Sequence, residues 1–415
     1  MIKKNIWVLN HEAEDIQSVN RIAQNLSKLY LSLSSDLFNV VEINLVDINS
    51  LKIVDALFAN RIVEFKENTP DHVIIVHPSV TNHLFLSALL SIKTKSQAQF
   101  IFHVVGNFIR YGESWFSLNH LLANKKIQFV VASQCYYELL ANFISTENLS
   151  ILPFPINFVS KEVNPRGEGE QREIFNVLYA GRYHEQKNVT CLIRSLNNVS
   201  KNTGRRICLN LAVYFDDFNP TTLNTRKILG EQFNEYLKAI SGLSASFEVK
   251  LLPHQNENEL SNLYRSNDVF ISFSTFLDED YGNAIIESLS EGTPCIVSNW
   301  GGYKDFCHEF PNDCFGLDIV VEEDKLYLKT EKLPLILEGI AIRKAEHRRK
   351  LKEEIKGYIG KEILIPGLLN IFSRKNIFSQ FDQSLLGFAL ELKNQSGKFT
   401  SINFKKYYKA FWKTL

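Results

Sequence analysis

The segment DVFISFSTFLDEDYGNAIIESLSEGTPCIVSNWGG, Asp268 to Gly302, decides how the rest of the chain is read. Val269, Phe270, Ile271 and Phe273 form a short apolar, β-prone run of the kind buried on both faces of a parallel sheet. A polar loop with three consecutive acids, Asp278, Glu279 and Asp280, follows it. Gly282 and Asn283 then open a helix carrying Ala284, Ile285, Ile286 and Leu289, which Gly292 and Pro294 stop. Thr293 to Val297 reads as the next strand, and Gly301-Gly302 as the turn that ends it. A strand that delivers acids and a glycine to a helix N-terminus is how parallel sheets build sites for charged ligands.

Upstream the same alternation recurs. Strands are expected at Phe175 to Tyr179, Ile207 to Tyr214 and Val249 to Leu252, with helices at Val189 to Val199, Thr225 to Ile240 and Asn258 to Tyr264. Asp216 to Thr225 reads as a surface loop. Nearer the N-terminus, strands at Ile6 to Leu9, Val40 to Val46, Val73 to Val76, Phe100 to Val105 and Phe129 to Ala132 flank a helical stripe of Val19, Ile22, Leu26, Leu29, Tyr30 and Leu33. Between the two series lies INFVSKEVNPRGEGEQRE, polar and punctuated by Pro165, Gly167 and Gly169, a linker by composition. The pattern implies an α/β protein with two Rossmann-like domains facing a cleft: residues 1–158, then 174–400, with a closing helix at 401–415.

At 415 residues the chain is too long for one ordinary core, in keeping with two domains. Lys and Arg total 46 and Asp and Glu total 46, so no global field favours nucleic acid, and no nucleic-acid motif is present. Six cysteines are scattered without a Cys-x-x-Cys pair, and Cys307, His308 and Cys314 lack the fourth ligand and spacing of a zinc site. The N-terminal apolar run is shorter than a signal-peptide core, and no window approaches the roughly 18 to 20 apolar residues of a membrane span. A cytoplasmic location is expected. Ile342 to Lys356 and Phe404 to Leu415 are basic helices, read either as solvated faces or as membrane-surface elements.

A second signal stands in YAGRYHEQKN, Tyr179 to Asn188. A strand ends at Gly181, Arg182 follows, and Lys187 comes just before a helix. Two cations and backbone donors at a strand's carboxyl end suit a diphosphate.

Together these motifs resemble the retaining GT-B glycosyltransferases of family 4, the glycosyl transferases group 1. The family's glutamate, seven residues and second glutamate stand here as Glu279 and Glu287, with Tyr281-Gly282-Asn283 inside. Its Gly-Arg and downstream Lys match Gly181, Arg182 and Lys187, and its following strand and Gly-Gly match Pro294 to Val297 and Gly301-Gly302. The resemblance is specific from about Val177 to Gly302 and architectural before that. It implies a nucleotide-diphosphate sugar as donor, a UDP-sugar first, and a glycan, lipid-linked or other hydroxyl acceptor in cell-surface polysaccharide or glycoconjugate biosynthesis. Arg182 and Lys187 would stabilise the leaving diphosphate, aided by N–H groups at Gly282 and Asn283; Glu287 would hold the ribose and Glu279 the transferred sugar. The reaction would retain configuration, with no covalent protein intermediate.

The family's acceptor side often carries a strand-end histidine. His103 in FIFHVVGNF fits that place, as a sugar or proton-transfer contact or as a satisfied core histidine; His77 is the weaker competitor. The family's glycine-rich loop after the first strand is missing, the chain reading Leu9-Asn10-His11-Glu12-Ala13-Glu14. The resemblance also implies that the closing helix crosses back to the first domain. Asp278-Glu279-Asp280 fits an Asp-x-Asp metal motif, but Arg182 and Lys187 make a cation unnecessary, so no metal or cofactor is expected. Peripheral membrane contact at the inner face stays open. The competing reading is a non-catalytic GT-B subunit that stabilises a partner glycosyltransferase. A nicotinamide dehydrogenase is excluded for want of Gly-x-Gly-x-x-Gly after the first strand.

Overall fold

The alternation of apolar runs and amphipathic stripes folds into two separate parallel sheets. The computed structural model describes residues 3–10, 17–35, 37–44, 54–76, 83–93, 97–106, 108–109, 111–156, 173–215, 229–253, 255–276, 279–322, 325–343, 345–394, 406–407 and 411. Most of the linker, the loop at 216–225, His11, His77 and Asp278 therefore lie outside the described residues.

One unit comprises Met1–Asn157 and Ile359–Gln395. Its chain runs β1 (Lys4–Asn10), α1 (Gln17–Leu31), β2 (Phe38–Asn44), α2 (Val54–Glu67), β3 (His72–Val76), α3 (His83–Ser91), β4 (Gln99–His103), α4 (Gly112–Ser117), α5 (Asn119–Leu122), β5 (Lys126–Val131), α6 (Gln134–Leu140) and β6 (Leu149–Ile151). All pairings are parallel, in the order β2-β1-β3-β4-β5-β6. Strands β3 and β4 are buried at every position, which is why they read as unbroken apolar runs rather than alternating ones.

The other unit comprises Phe158–Tyr358 and Ser396–Leu415. It runs β7 (Ile174–Tyr183), α7 (Val189–Thr203), β8 (Arg206–Phe215), α8 (Leu229–Ile240), β9 (Phe247–Leu252), α9 (Glu257–Ser266), β10 (Val269–Ser272), α10 (Asn283–Ser290), β11 (Cys295–Ser298), α11 (Tyr303–Glu309), β12 (Cys314–Leu317), the antiparallel hairpin β13 (Ile319–Glu322) and β14 (Lys325–Leu328), α12 (Leu333–Ala341) and α13 (Ala345–Ile359). The sheet order is β12-β11-β10-β7-β8-β9, again all parallel. Helix α7 buries Val189, Leu192, Ile193, Leu196 and Val199, an i, i+3, i+4 face laid on the sheet, and Gly204 at φ +71° lets the chain leave it. Asn256 and Glu259 close a reciprocal capping box that starts α9.

Two departures from the sequence reading matter. Strand β7 continues past Gly181 to Tyr183, because β8 keeps pairing with it as far as Phe215. The sequence also assigns 174–400 to the second domain and 401–415 to the first; instead α14 (Lys361–Ser373) and α15 (Ser384–Asn394) join the first unit. Leu364, Leu368, Ile371 and Leu385 are buried there, and Gln99 on β4 donates to the carbonyls of Ile371 and Arg374. Of the last fifteen residues, Lys406, Tyr407 and Phe411 are described, and Phe411 packs in the second unit with its ring 5.7 Å from Trp300 and its carbonyl accepting from Gly301 N–H.

Candidate active site

In the second unit the chain leaves β7 toward β8 and β9 on one side, then returns to β10, β11 and β12 on the other. The switch point lies between β7 and β10, the place where open parallel sheets bind ligands beyond their strands' carboxyl ends. Strand β10 registers with β7 only at Val269–Val177 and Phe270–Leu178, whereas β7 stays with β8 to its last residue. The two strands therefore part toward their carboxyl ends and leave a crevice. Asn188, held left-handed at φ +53°, bridges it by donating to the Phe273 carbonyl at 2.9 Å and the Thr275 hydroxyl at 3.0 Å.

Into this crevice come the two sequence signals. Gly181 has φ +152°, and the hydroxyl of Tyr179 donates to the Arg182 carbonyl at 2.9 Å, shaping the strand's end. A single 3-10 turn, Glu185–Lys187, then presents Lys187. Its Nζ lies 2.6 Å from Oε2 of Glu279, and Ser274 Oγ donates to that same oxygen at 2.6 Å. The Arg182 guanidinium and the Lys187 ammonium both lie over the Phe276 ring, 6.0 and 5.4 Å from its centre. Phe276 is fixed in turn by Trp300 Nε1, which donates to its carbonyl at 2.7 Å. Gly302 N–H donates to the Glu279 carbonyl at 2.8 Å, so the Gly-Gly turn after β11 props the acid loop.

Gly282 caps α10 at φ +102°, where a Cβ would meet the Tyr303 ring at 2.7 Å. Both facts require glycine, and the Gly282 carbonyl accepts the first bonds of the helix, from Ile285 N–H at 2.9 Å and Ile286 N–H at 3.3 Å. Asn283 follows as the first helical residue, its Oδ1 buried with no hydrogen-bond partner among the described residues. Tyr303 reaches Ser272 at 3.2 Å, and burial followed by the Glu279 charge pushes its hydroxyl pKa well above the usual value.

Two expected nucleotide contacts sit differently. Tyr281 is 2% exposed, its ring packed 4.9 Å from Phe306, so its side chain is a core element rather than part of a ligand surface. Glu287 is 6% exposed and accepts from the Tyr264 hydroxyl at 3.0 Å. One turn on, Glu291 is wholly structural, ion-paired with Arg265 at 3.0 Å and Lys352 at 3.4 Å. In the first unit His103 is fully buried, its Nε2 2.6 Å from the Tyr30 hydroxyl, and burial pulls its pKa down to about 3. It is a neutral core histidine, with no exposed atom to meet a substrate.

Sequence reading missed Ser274, Phe276, Asn188 and Tyr303. The one available signal is that Ser272, Ser274 and Thr275 are hydroxyls in an otherwise apolar strand end. Among the described residues no group of three or more His, Cys, Asp or Glu is placed to hold a metal ion, and no helix is long and apolar enough to cross a membrane.

The sequence matches the family described as glycosyl transferases group 1 over residues 160–312, the stretch that holds this site. No curated protein matches the chain. Among solved structures, a glycosyltransferase from Rickettsia africae is similar with a TM-score of 0.60 at 13% identity, covering 89% of this chain and 98% of that one. Sucrose-phosphate synthase from Thermosynechococcus elongatus aligns with a TM-score of 0.56 at 13% identity, over 89% and 98%. AviGT4, a glycosyltransferase involved in avilamycin A biosynthesis, aligns with 0.52 at 11% identity, over 90% and 98%. Two six-stranded parallel sheets of this order, and the likeness to these structures along most of their length, show that the chain has the GT-B fold, with a stretch similar to the glycosyl transferases group 1 at residues 160–312.

Proposed function

We propose that the protein is a retaining, metal-independent glycosyltransferase that takes a sugar from a nucleotide-diphosphate sugar, a UDP-sugar first, and passes it to a hydroxyl on a glycan or lipid-linked acceptor in surface polysaccharide or glycoconjugate synthesis. The observation that carries this reading is the Lys187–Glu279 contact at the switch point, beside the N-terminus of α10. In this reading Lys187, Arg182 and the first N–H groups of α10 all meet the diphosphate, and each contact strengthens as charge develops on the leaving group.

In the free protein Glu279 neutralises Lys187 at 2.6 Å. An incoming diphosphate takes over the ammonium, and the carboxylate, still held by Ser274, turns its acceptor oxygens to the donor sugar's hydroxyls. The positive charge that grows at the sugar ring is then met by Glu279, and the departing negative charge by Arg182 and Lys187. With cations doing this, no divalent ion is called on. In this reading Glu287, whose carboxylate accepts from the Tyr264 hydroxyl, is the residue that meets the ribose. The bond made to the acceptor forms on the face the nucleotide leaves.

The test is release of nucleotide diphosphate from a panel of nucleotide sugars, with and without chelator. One donor turned over in chelator, and lost in Glu279→Ala and Lys187→Ala, is the expected result. Full turnover in both variants sinks the reading.

A further inference from the structure

Helix α11 and strand β12 bring two cysteines together. The Sγ atoms of Cys307 and Cys314 are 3.6 Å apart, with both thiols free. Cys307 is partly exposed; Cys314 is buried, and burial holds its thiol well above the usual pKa. The third nearby thiol, Cys295, is a bystander, turned to the carbonyls of Ile285 and Thr293 at 3.8 Å. Cys307 Sγ also lies close to Gly316, where a Cβ would stand 3.2 Å from it, a tight contact.

We propose that Cys307 and Cys314 are an oxidisable pair whose disulfide draws α11 toward β12 and slackens the donor site. Hydrogen peroxide is the named oxidant. The Cys307 thiolate attacks peroxide, forming an S–O bond as the O–O bond breaks, and leaves a sulfenic acid and a hydroxide, which becomes water with the proton that the Cys307 thiol gave up. Cys314 sulfur then attacks Cys307 sulfur; the S–S bond forms, the S–O bond breaks, and the hydroxide leaves as water with the Cys314 proton. Two thiols and one peroxide thus give one disulfide and two waters, each sulfur losing one electron.

The sulfurs must close from 3.6 Å to about 2.0 Å, so something moves. Strand β12 is pinned along its length to β11, with Cys314 registered on Cys295 and Gly316 on Val297. Helix α11, only seven residues long, is the element free to yield. One turn before Cys307 stands Tyr303, which packs on Gly282 and reaches Ser272; immediately before it, Gly302 N–H props the Glu279 carbonyl. Pulling the C-terminal turn of α11 therefore strains the contacts that aim the acid loop and the α10 N-terminus. The effect on turnover rests on the proposed function; the covalent step and the helix shift do not.

The experiment treats the full chain with hydrogen peroxide. Expected are the loss of two titratable thiols, a Cys307–Cys314 cross-linked peptide reversed by dithiothreitol, faster amide exchange at Gly301 to Lys304, and donor turnover lowered about fivefold or more, the lower end of ordinary coupling between sites. Cys307→Ser and Cys314→Ala variants should keep reduced-state turnover and resist the change. Failure to cross-link overturns the proposal, as does a cross-link that leaves both exchange and turnover untouched. A reduced protein that turns over no nucleotide sugar defeats the proposed function alone, since cross-link and exchange still report on this pair.

Discussion

Each unit places a polar pair by a central strand, and the two pairs are built in opposite ways. At the end of β4, His103 and Tyr30 lie 2.6 Å apart with no exposed surface, and burial drives the histidine's pKa down and the tyrosine's up. Both side chains are neutral there, because no opposite charge offsets desolvation. Beyond β10, Lys187 and Glu279 also lie 2.6 Å apart, but the pair is ionic, and the lysine side chain keeps 17% of its surface. The first pair is closed and locks a core. The second keeps part of its surface open, which is what the exchange of partners with the proposed diphosphate requires. Proximity of polar groups at a strand end does not by itself make a site; retained charge and access do.

The largest test of that contrast removes the ionic pair. Lys187→Ala and Glu279→Ala should each lower donor turnover about a hundredfold to a thousandfold, the usual cost of one group aimed at transition-state charge. Steady-state kinetics on the donor found in the panel measures it. His103→Gln, by contrast, should leave turnover per folded molecule unchanged. A hundredfold loss there would erase the distinction.

The second test is acid. A histidine whose folded pKa is lowered from 6.5 to about 3 is neutral in the native state where the unfolded chain takes up a proton. Stability from this source is complete above pH 6.5 and is lost as pH falls toward about 3, at about 1.4 kcal/mol per pH unit. His72 on β3, lowered by burial to about 4 although Gln99 bonds it, adds the same sign over a narrower window. Melting temperature against pH should fall less steeply below pH 6 in His103→Gln than in the native chain. An unchanged slope would mean that His103 does not titrate this way.

These two sites also mark how far sequence carries. The Glu279-to-Glu287 spacing, Gly181-Arg182 and Lys187 are local patterns, so the fold and the charged half of the candidate site could be read from them. What Ser274 and Phe276 do could not. Their roles arise because β10 parts from β7 and Trp300 and Gly302 return after β11, a tertiary arrangement that no spacing encodes. His103 shows the reverse limit, since a strand-end histidine looks the same in sequence whether Tyr30 covers it or solvent does. Tyr281 misleads similarly: the residue beside Gly282 turns into Phe306 while the glycine faces the helix end. The early return of the chain at Ile359 was hidden because α14 and α15 have the composition of any buried helix.

A third test loosens the closed pair. Tyr30→Phe deletes the hydroxyl facing His103 Nε2 and leaves a buried ring nitrogen unpaired, at a cost of about 1 to 3 kcal/mol. Urea unfolding should show that loss with turnover intact. If Tyr30→Phe instead lowers turnover while stability holds, the pair is not the lock described.

The smallest effect is expected at Phe276, and it probes the open pair without touching its charges. Phe276→Leu keeps the apolar volume and the backbone carbonyl that Trp300 Nε1 meets, but removes the ring that lies under Arg182 and Lys187. A partly exposed cation–π contact contributes about 0.5 to 1 kcal/mol, so turnover should fall only about two- to fivefold, chiefly through weaker donor binding. The melting temperature of the free protein should barely move, since the ion pair of Lys187 and Glu279 persists. Adding nucleotide diphosphate should then raise it less than in the native chain, because binding stabilises by linkage in proportion to affinity. An equal rise in both proteins would show that the ring merely fills space, and that the cations are aimed by Glu279 and the β7 turn alone.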